Sequence, residues 1–130
     1  MLKVGSLQVT ENIERNRLVL TNIETFGKID IRVGEIVRAE PYPEAKKPSI
    51  KLWINFGSEL GEKKSSAQIT QHYTPRTLIG RQIIAVVNFS PRQIGKFVSE
   101  VLVLGVPDSG GDGIILLEPE MEAVLGGKVH

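Results

Sequence analysis

The chain has 130 residues, 41% of them hydrophobic, no cysteine and a formal net charge of +1. That is the size of one domain with an ordinary core, and it excludes disulfides, thiolate metal sites and thiol catalysis. Near-neutral charge argues against strong, indiscriminate nucleic-acid binding, and no run approaches the roughly eighteen apolar residues of a membrane span.

The N-terminus lacks the charged-then-apolar pattern of a secretory signal, so a cytoplasmic protein without membrane insertion is expected. Residues 1–20 read as an extension, either a hairpin of 2–9 with 17–20 or a partly ordered segment. Thr21 and Glu24 form a capping-box pattern for a short helix holding Ile23 and Phe26.

The main domain is expected over 21–130. Residues 28–37 alternate, with Ile29, Ile31 and Val33 on one face and Lys28, Asp30 and Arg32 on the other. Gly34 interrupts that strand, which suggests a bulge or bend of the kind a small barrel needs. Pro41, Pro43 and Pro48 bracket a connecting loop. A second strand over 50–56 puts Ile50, Leu52, Ile54 and Phe56 inward, with Lys51, Trp53 and Asn55 opposite. A third is expected over 65–70. Thr74, Pro75 and Gly80 then supply the cap, first position and stop of a short helix. Apolar strands follow over 82–89, 99–106 and 113–117.

Three strands, a helix and two further strands make the order of the OB-fold, a five-stranded Greek-key barrel. The predicted class is therefore all-β, with the helix between strands 3 and 4. A β-sandwich, the competing architecture, does not require a helix there.

Residues 63–100 hold six bases (Lys63, Lys64, Arg76, Arg81, Arg92 and Lys96) against one acid, Glu100. After Glu100 the balance inverts: five acids stand against Lys128 alone. Basic side chains neutralise phosphates or acidic groups, and Ser65, Ser66, Gln68, Asn88 and Ser99 add directional hydrogen bonds beside them. Singly, each reads as solvated surface or a backbone partner. Together, on a β scaffold, they read as a binding site. Phe89 is expected in the core, whereas Phe97, with Gly95 and Lys96, is expected on a loop that presents an apolar contact.

Catalysis is not expected. His72 has no neighbouring nucleophile or carboxylate in sequence, and two histidines without cysteine leave little for zinc. Asp108 and Asp112 lie among glycines without calcium-loop spacing and read as a turn. The run 109–113, SGGDG, lacks the GlyLys that makes a phosphate loop. No cofactor and no metal is expected. Aromatic residues are 5% of the chain, few for a protein that stacks bases. An apolar pocket with a basic rim suits an unfolded peptide equally well.

Four segments carry a resemblance: 26–36 (FGKIDIRVGEI), 64–70 (KSSAQIT), 86–94 (VVNFSPRQI) and 99–105 (SEVLVLG). They resemble the tRNA-binding domain family, from about Thr21 to the C-terminus, and within it the export-related chaperones most closely. The resemblance implies an OB-fold homodimer whose chain ends build the interface, and binding of unfolded or pre-secretory polypeptides. It further implies the export translocation ATPase as a partner, and tRNA as the alternative ligand. In the tRNA-binding branch a GlyMet pair usually follows SerGlu; Val101 and Leu102 stand there instead, which moves the expectation towards polypeptide. The ligand contacts are expected from Lys63, Lys64, Ser65, Ser66, Gln68, Arg76, Asn88, Pro91, Arg92, Lys96, Phe97, Ser99 and Glu100. An auxiliary assembly domain for a synthetase is the third reading.

Overall fold

The computed structural model describes residues 18–130. A short helix, α1 (Ile23–Phe26), comes first. Its N-cap is Asn22, not Thr21: the Asn22 side chain accepts from the Thr25 amide at 2.8 Å. An Asx side chain is as good a cap as a threonine, and it sits one residue later. The proposed partner strand at 2–9 lies outside the described residues; residues 18–20 carry no strand and are exposed.

The strands β1 (Ile31–Tyr42), β2 (Ser49–Asn55), β3 (Glu62–Ala67) and β4 (Gln82–Val86) carry the sheet. Helix α2 (Gly57–Leu60) lies between β2 and β3, and α3 (Pro75–Leu78) between β3 and β4. A hairpin of β5 (Arg92–Ile94) and β6 (Phe97–Ser99) follows, then β7 (Leu102–Val103), and a last hairpin of β8 (Gly105–Pro107) and β9 (Ile114–Leu116). The five-stranded antiparallel sheet has the order β3-β2-β1-β4-β7, and it curls into an OB-like half-barrel. The all-β expectation holds, with α3 placed and capped as read: Thr74 and Thr77 form its capping box and Pro75 opens it.

β1 is the organising strand. Its first half pairs with β4 (Val33 opposite Ile84) and its second with β2 (Ala39 opposite Leu52). It runs on through Pro41 and Tyr42, so the proline-bracketed loop is shorter than its prolines suggest. Pro41 keeps its place because a missing amide is tolerated at the end of a strand. The register shift falls between Ile36 and Arg38, beyond Gly34. Gly34 serves close packing instead. A Cβ there would lie 2.5 Å from Ile54 Cγ2 and 2.7 Å from the Phe56 ring.

The core gathers Ile36, Ile50, Leu52, Ile54 and Phe56 from the sheet with Leu78 from α3 and Val101 and Leu116 from the end of the chain. The C-terminal residues close over β1. Val33 donates to the Gly127 carbonyl, Gly126 to that of Val33, and Val129 to that of Ile31, all at 2.8–2.9 Å. Arg32 adds a bond from Nη1 to the Gly126 carbonyl at 3.0 Å and pairs with Asp30. The expected single strand over 99–106 is divided: Ser99 ends β6, β7 joins the main sheet, and β8 pairs in the hairpin with β9. The break falls at Leu104, whose amide still bonds Ile84 while its carbonyl accepts from Leu117.

Candidate ligand-binding groove

The alternation of β2 and β3 sorts their side chains by face. Lys51 opposes Ser66, and Trp53 opposes Lys64, so these four share the face away from the core. The β5–β6 hairpin folds over that face. Its two-residue turn uses Gly95, at φ +62°, where a Cβ would lie 2.5 Å from the Tyr42 hydroxyl. That hydroxyl donates to the Ile94 carbonyl at 2.6 Å.

Phe97 is the hairpin's anchor. It is 8% exposed, 5.9 Å from the Tyr42 ring and 5.7 Å edge-on from Trp53. Lys51 and Lys64 hold their ammonium groups 5.5 and 5.2 Å from its centroid. Arg38 stacks 4.1 Å above Trp53. Cations over aromatic faces are favoured electrostatically, so the two lysines are partly engaged within the fold. The expectation of an exposed Phe97 is thus corrected, as is that of a buried Phe89, which is 48% exposed. The fourth strand stops at Val86, three residues short of Phe89, and the chain leaves the core there.

Between the edges of the sheet, β3 and β7, no backbone ladder runs. The residues just before β7 join β3 at one end, through side chains and main chain. Glu100 Oε1 accepts from the Lys64 amide at 2.9 Å, while the Lys64 carbonyl accepts from the Glu100 and Val101 amides. The Ser66 amide donates to Ser99 Oγ at 3.0 Å, and the buried Ser65 hydroxyl donates to the Val101 carbonyl at 2.9 Å. Ser65, Ser99 and Glu100 therefore stitch the seam.

Three compartments open beside it. A chamber of about 430 Å³ is lined by Lys46, Lys47, Ser49, Gln68 and Gln93 among others. An apolar recess of about 170 Å³ is lined chiefly by Phe89, Ile94, Val101 and Leu102. A cleft of about 310 Å³ separates residues 66–69 from Leu102, Val103, Ile114 and Leu116. Ser66 and Arg92 line all three. Arg92 is exposed, and no acid among the described residues lies within ion-pair distance of it.

Of the residues expected to contact ligand, the structure gathers Ser66, Gln68 and Arg92 in this groove, with Ser65 in the wall of the cleft and Ser99 and Glu100 at the recess. Lys63, Lys64, Arg76, Pro91, Lys96 and Phe97 line none of the three compartments. Asn88 lies apart from them as well. Its Oδ1 accepts from the Asp30 amide at 2.9 Å and its Nδ2 donates to the Lys28 carbonyl at 2.8 Å. Sequence reasoning missed Lys46, Lys47, Ile94 and Leu102. The signal for the first two was present: adjacent lysines in a proline-bracketed loop between two strands.

Four other acids gather elsewhere. Glu35, Glu118, Glu120 and Glu122 line a separate cavity of about 340 Å³, so acidic and basic linings are segregated. His72, read as lacking a carboxylate, has one brought from 36 residues away: its Nε2 lies 2.7 Å from Asp108 Oδ2. That hydrogen bond, together with those from the backbone amides of Asp112, Gly113 and Gly111, lowers the Asp108 pKa from 3.8 to about 2. The pair tethers the turn between β8 and β9. Among the described residues, no cluster of three or more histidine or acidic side chains is arranged to hold a metal ion, and no helix is long and apolar enough to cross a membrane.

Residues 31–128 match a family model described as "Putative tRNA binding domain". Among curated proteins, the chain is 40% identical over 108 residues to a methionine–tRNA ligase of Sorangium cellulosum. It is 34% identical over 113 residues to that of Methanococcus aeolicus. These stretches are 83% and 87% of this chain but 15% and 16% of the ligases. Among solved structures, the chaperone CsaA of Bacillus anthracis is 50% identical with a TM-score of 0.80, over 86% of this chain and 100% of that one. The CsaA chaperone protein of Picrophilus torridus is 50% identical with a TM-score of 0.78, over 85% and 100%.

Proposed function

Because the chain belongs to the tRNA-binding domain family and stands with the CsaA proteins in it, we propose that it is a chaperone for unfolded or pre-secretory polypeptides, acting as a homodimer. The observation that carries this reading is the groove itself. An apolar recess formed by Phe89, Ile94 and Leu102 adjoins a polar chamber rimmed by Lys46, Lys47 and Arg92. Apolar side chains of a client enter the recess, and polar side chains and backbone meet the rim. Exposed apolar residues at both ends of the described chain, Leu18, Leu20, Ile23, Met121 and Val124, support a second copy as the partner that covers them. Two grooves in one dimer raise the effective concentration for a long client. The export translocation ATPase is the partner to which such a complex delivers its client, in the cytoplasm. The test is aggregation of a chemically unfolded protein without ATP. A stoichiometric amount of dimer is expected to retard it; an unchanged rate overturns the reading.

One observation favours a second reading, a tRNA binder. The chamber of about 430 Å³ has three cations in its lining and no acid. Binding of tRNA there is expected to weaken steeply with salt as counterions are released, whereas apolar peptide binding is not. Competition between tRNA and an apolar peptide at two salt concentrations separates the two.

A further inference from the structure

We propose that the groove takes its polypeptide by strand addition where β3 ends, the client's backbone pairing with the Ser66 carbonyl and the main chain of Gln68. This rests on the polypeptide reading above and adds how the client is held.

β3 and β7 are the two edges of the five-stranded sheet. In a fully closed barrel such edges pair and vanish. Here they meet only at one end, through Lys64 with Glu100 and Val101, and Ser66 with Ser99. β3 ends at Ala67, and the chain that follows it, Gln68 and Ile69, parts from β7 around the cleft of about 310 Å³. A sheet edge offers unpaired amides and carbonyls to any extended chain that lies beside it.

The walls of the cleft suit a strand. Ser66 and Ala67 are small, which lets a second backbone come close. Leu102, Val103 and Ile114 present apolar surface to one set of alternating side chains. Arg92 is the sole cation in that lining, so the cleft offers little to a phosphate chain. Backbone hydrogen bonds are the same for every sequence. Strand addition therefore gives the tolerance of client sequence that a chaperone needs, with the apolar wall setting a preference for one aliphatic residue in every two.

The experiment uses a fluorescein-labelled ten-residue peptide of alternating leucine and glutamine, capped at both ends, with the full chain. A series of peptides carries one N-methyl group at each successive amide. Methylation at alternate positions is expected to weaken binding at least tenfold, and at the intervening positions less than twofold. Amide exchange is expected to slow at Gln68 on binding. Tight binding with equal tolerance, or equal loss, at all positions overturns strand addition and leaves the polypeptide reading standing. No binding of the unmethylated peptide overturns that reading as well. If the peptide converts dimer to monomer in sedimentation, a second copy held the edge and the proposal falls.

Discussion

The hydroxyl of Tyr42 donates to the main-chain carbonyl of Ile94 at 2.6 Å, tying the end of β1 to the turn of the β5–β6 hairpin. One wall of the apolar recess, Ile94, thus depends on a residue 52 positions earlier. Tyr42→Phe keeps the ring on Phe97 and removes this bond. A loss of about 1 kcal/mol in urea unfolding is expected. Peptide affinity is expected to fall further than tRNA affinity, because the recess loosens while the lysines stay. Equal effects on both ligands go against this assignment.

Arg92→Ser tests the residue common to all three compartments. The side chain is exposed, so unfolding free energy is expected to change by less than about 0.5 kcal/mol. Both peptide and tRNA binding are expected to weaken. A variant that binds both at wild-type affinity removes Arg92 from the site.

Lys46→Ala with Lys47→Ala addresses the rim that sequence reasoning passed over. If tRNA enters the chamber, the slope of log affinity against log salt is expected to flatten by roughly 1.5, since each contact releases a counterion. An unchanged slope places the nucleic acid elsewhere.

Asn88 separates support from contact. Asn88→Ala removes bonds to Asp30 and Lys28 and is expected to cost about 1 kcal/mol of stability. Ligand affinity of the folded fraction is expected to stay within twofold. A large loss of affinity at full folding restores Asn88 to the site.

Asp108 gives a dependence on pH. Its pKa is lowered from 3.8 to about 2 when folded, so it binds protons less readily than in the unfolded chain. The stability it contributes is complete above the unfolded value and is lost as pH falls towards the folded one. Urea midpoints measured from pH 5 to pH 2 are expected to fall less steeply for Asp108→Asn than for the parent chain.

The fold was legible where local signals agreed. Thr74, Pro75 and Gly80 marked α3, and the alternation of Ile50, Leu52 and Ile54 marked β2. Signals failed where tertiary contacts decide. Nothing local says that Phe97 folds back onto Tyr42 and Trp53, or that Asp108 reaches His72. Of the candidate site, Ser66, Gln68 and Arg92 were visible as members of one basic and polar stretch, 63–100. Lys46 and Lys47 carried a local signal, but their place in the site did not show, because Arg92, which lines the same chamber, lies some forty-five positions away and only the fold brings them together. Charge alone also could not separate Lys64, which rests on Phe97, from Arg92, which makes no ion pair among the described residues.

The closure of the C-terminal residues over β1 has a kinetic consequence. Arg32 meets Gly126 across 94 positions, and Ile31 receives Val129. Contacts of such long sequence separation slow folding, because the intervening loop must close before they form. On a ribosome, β1 is made early and waits for its last partner until residue 129 has emerged. During that interval the protein has an exposed strand of its own, the same hazard it is proposed to manage in others.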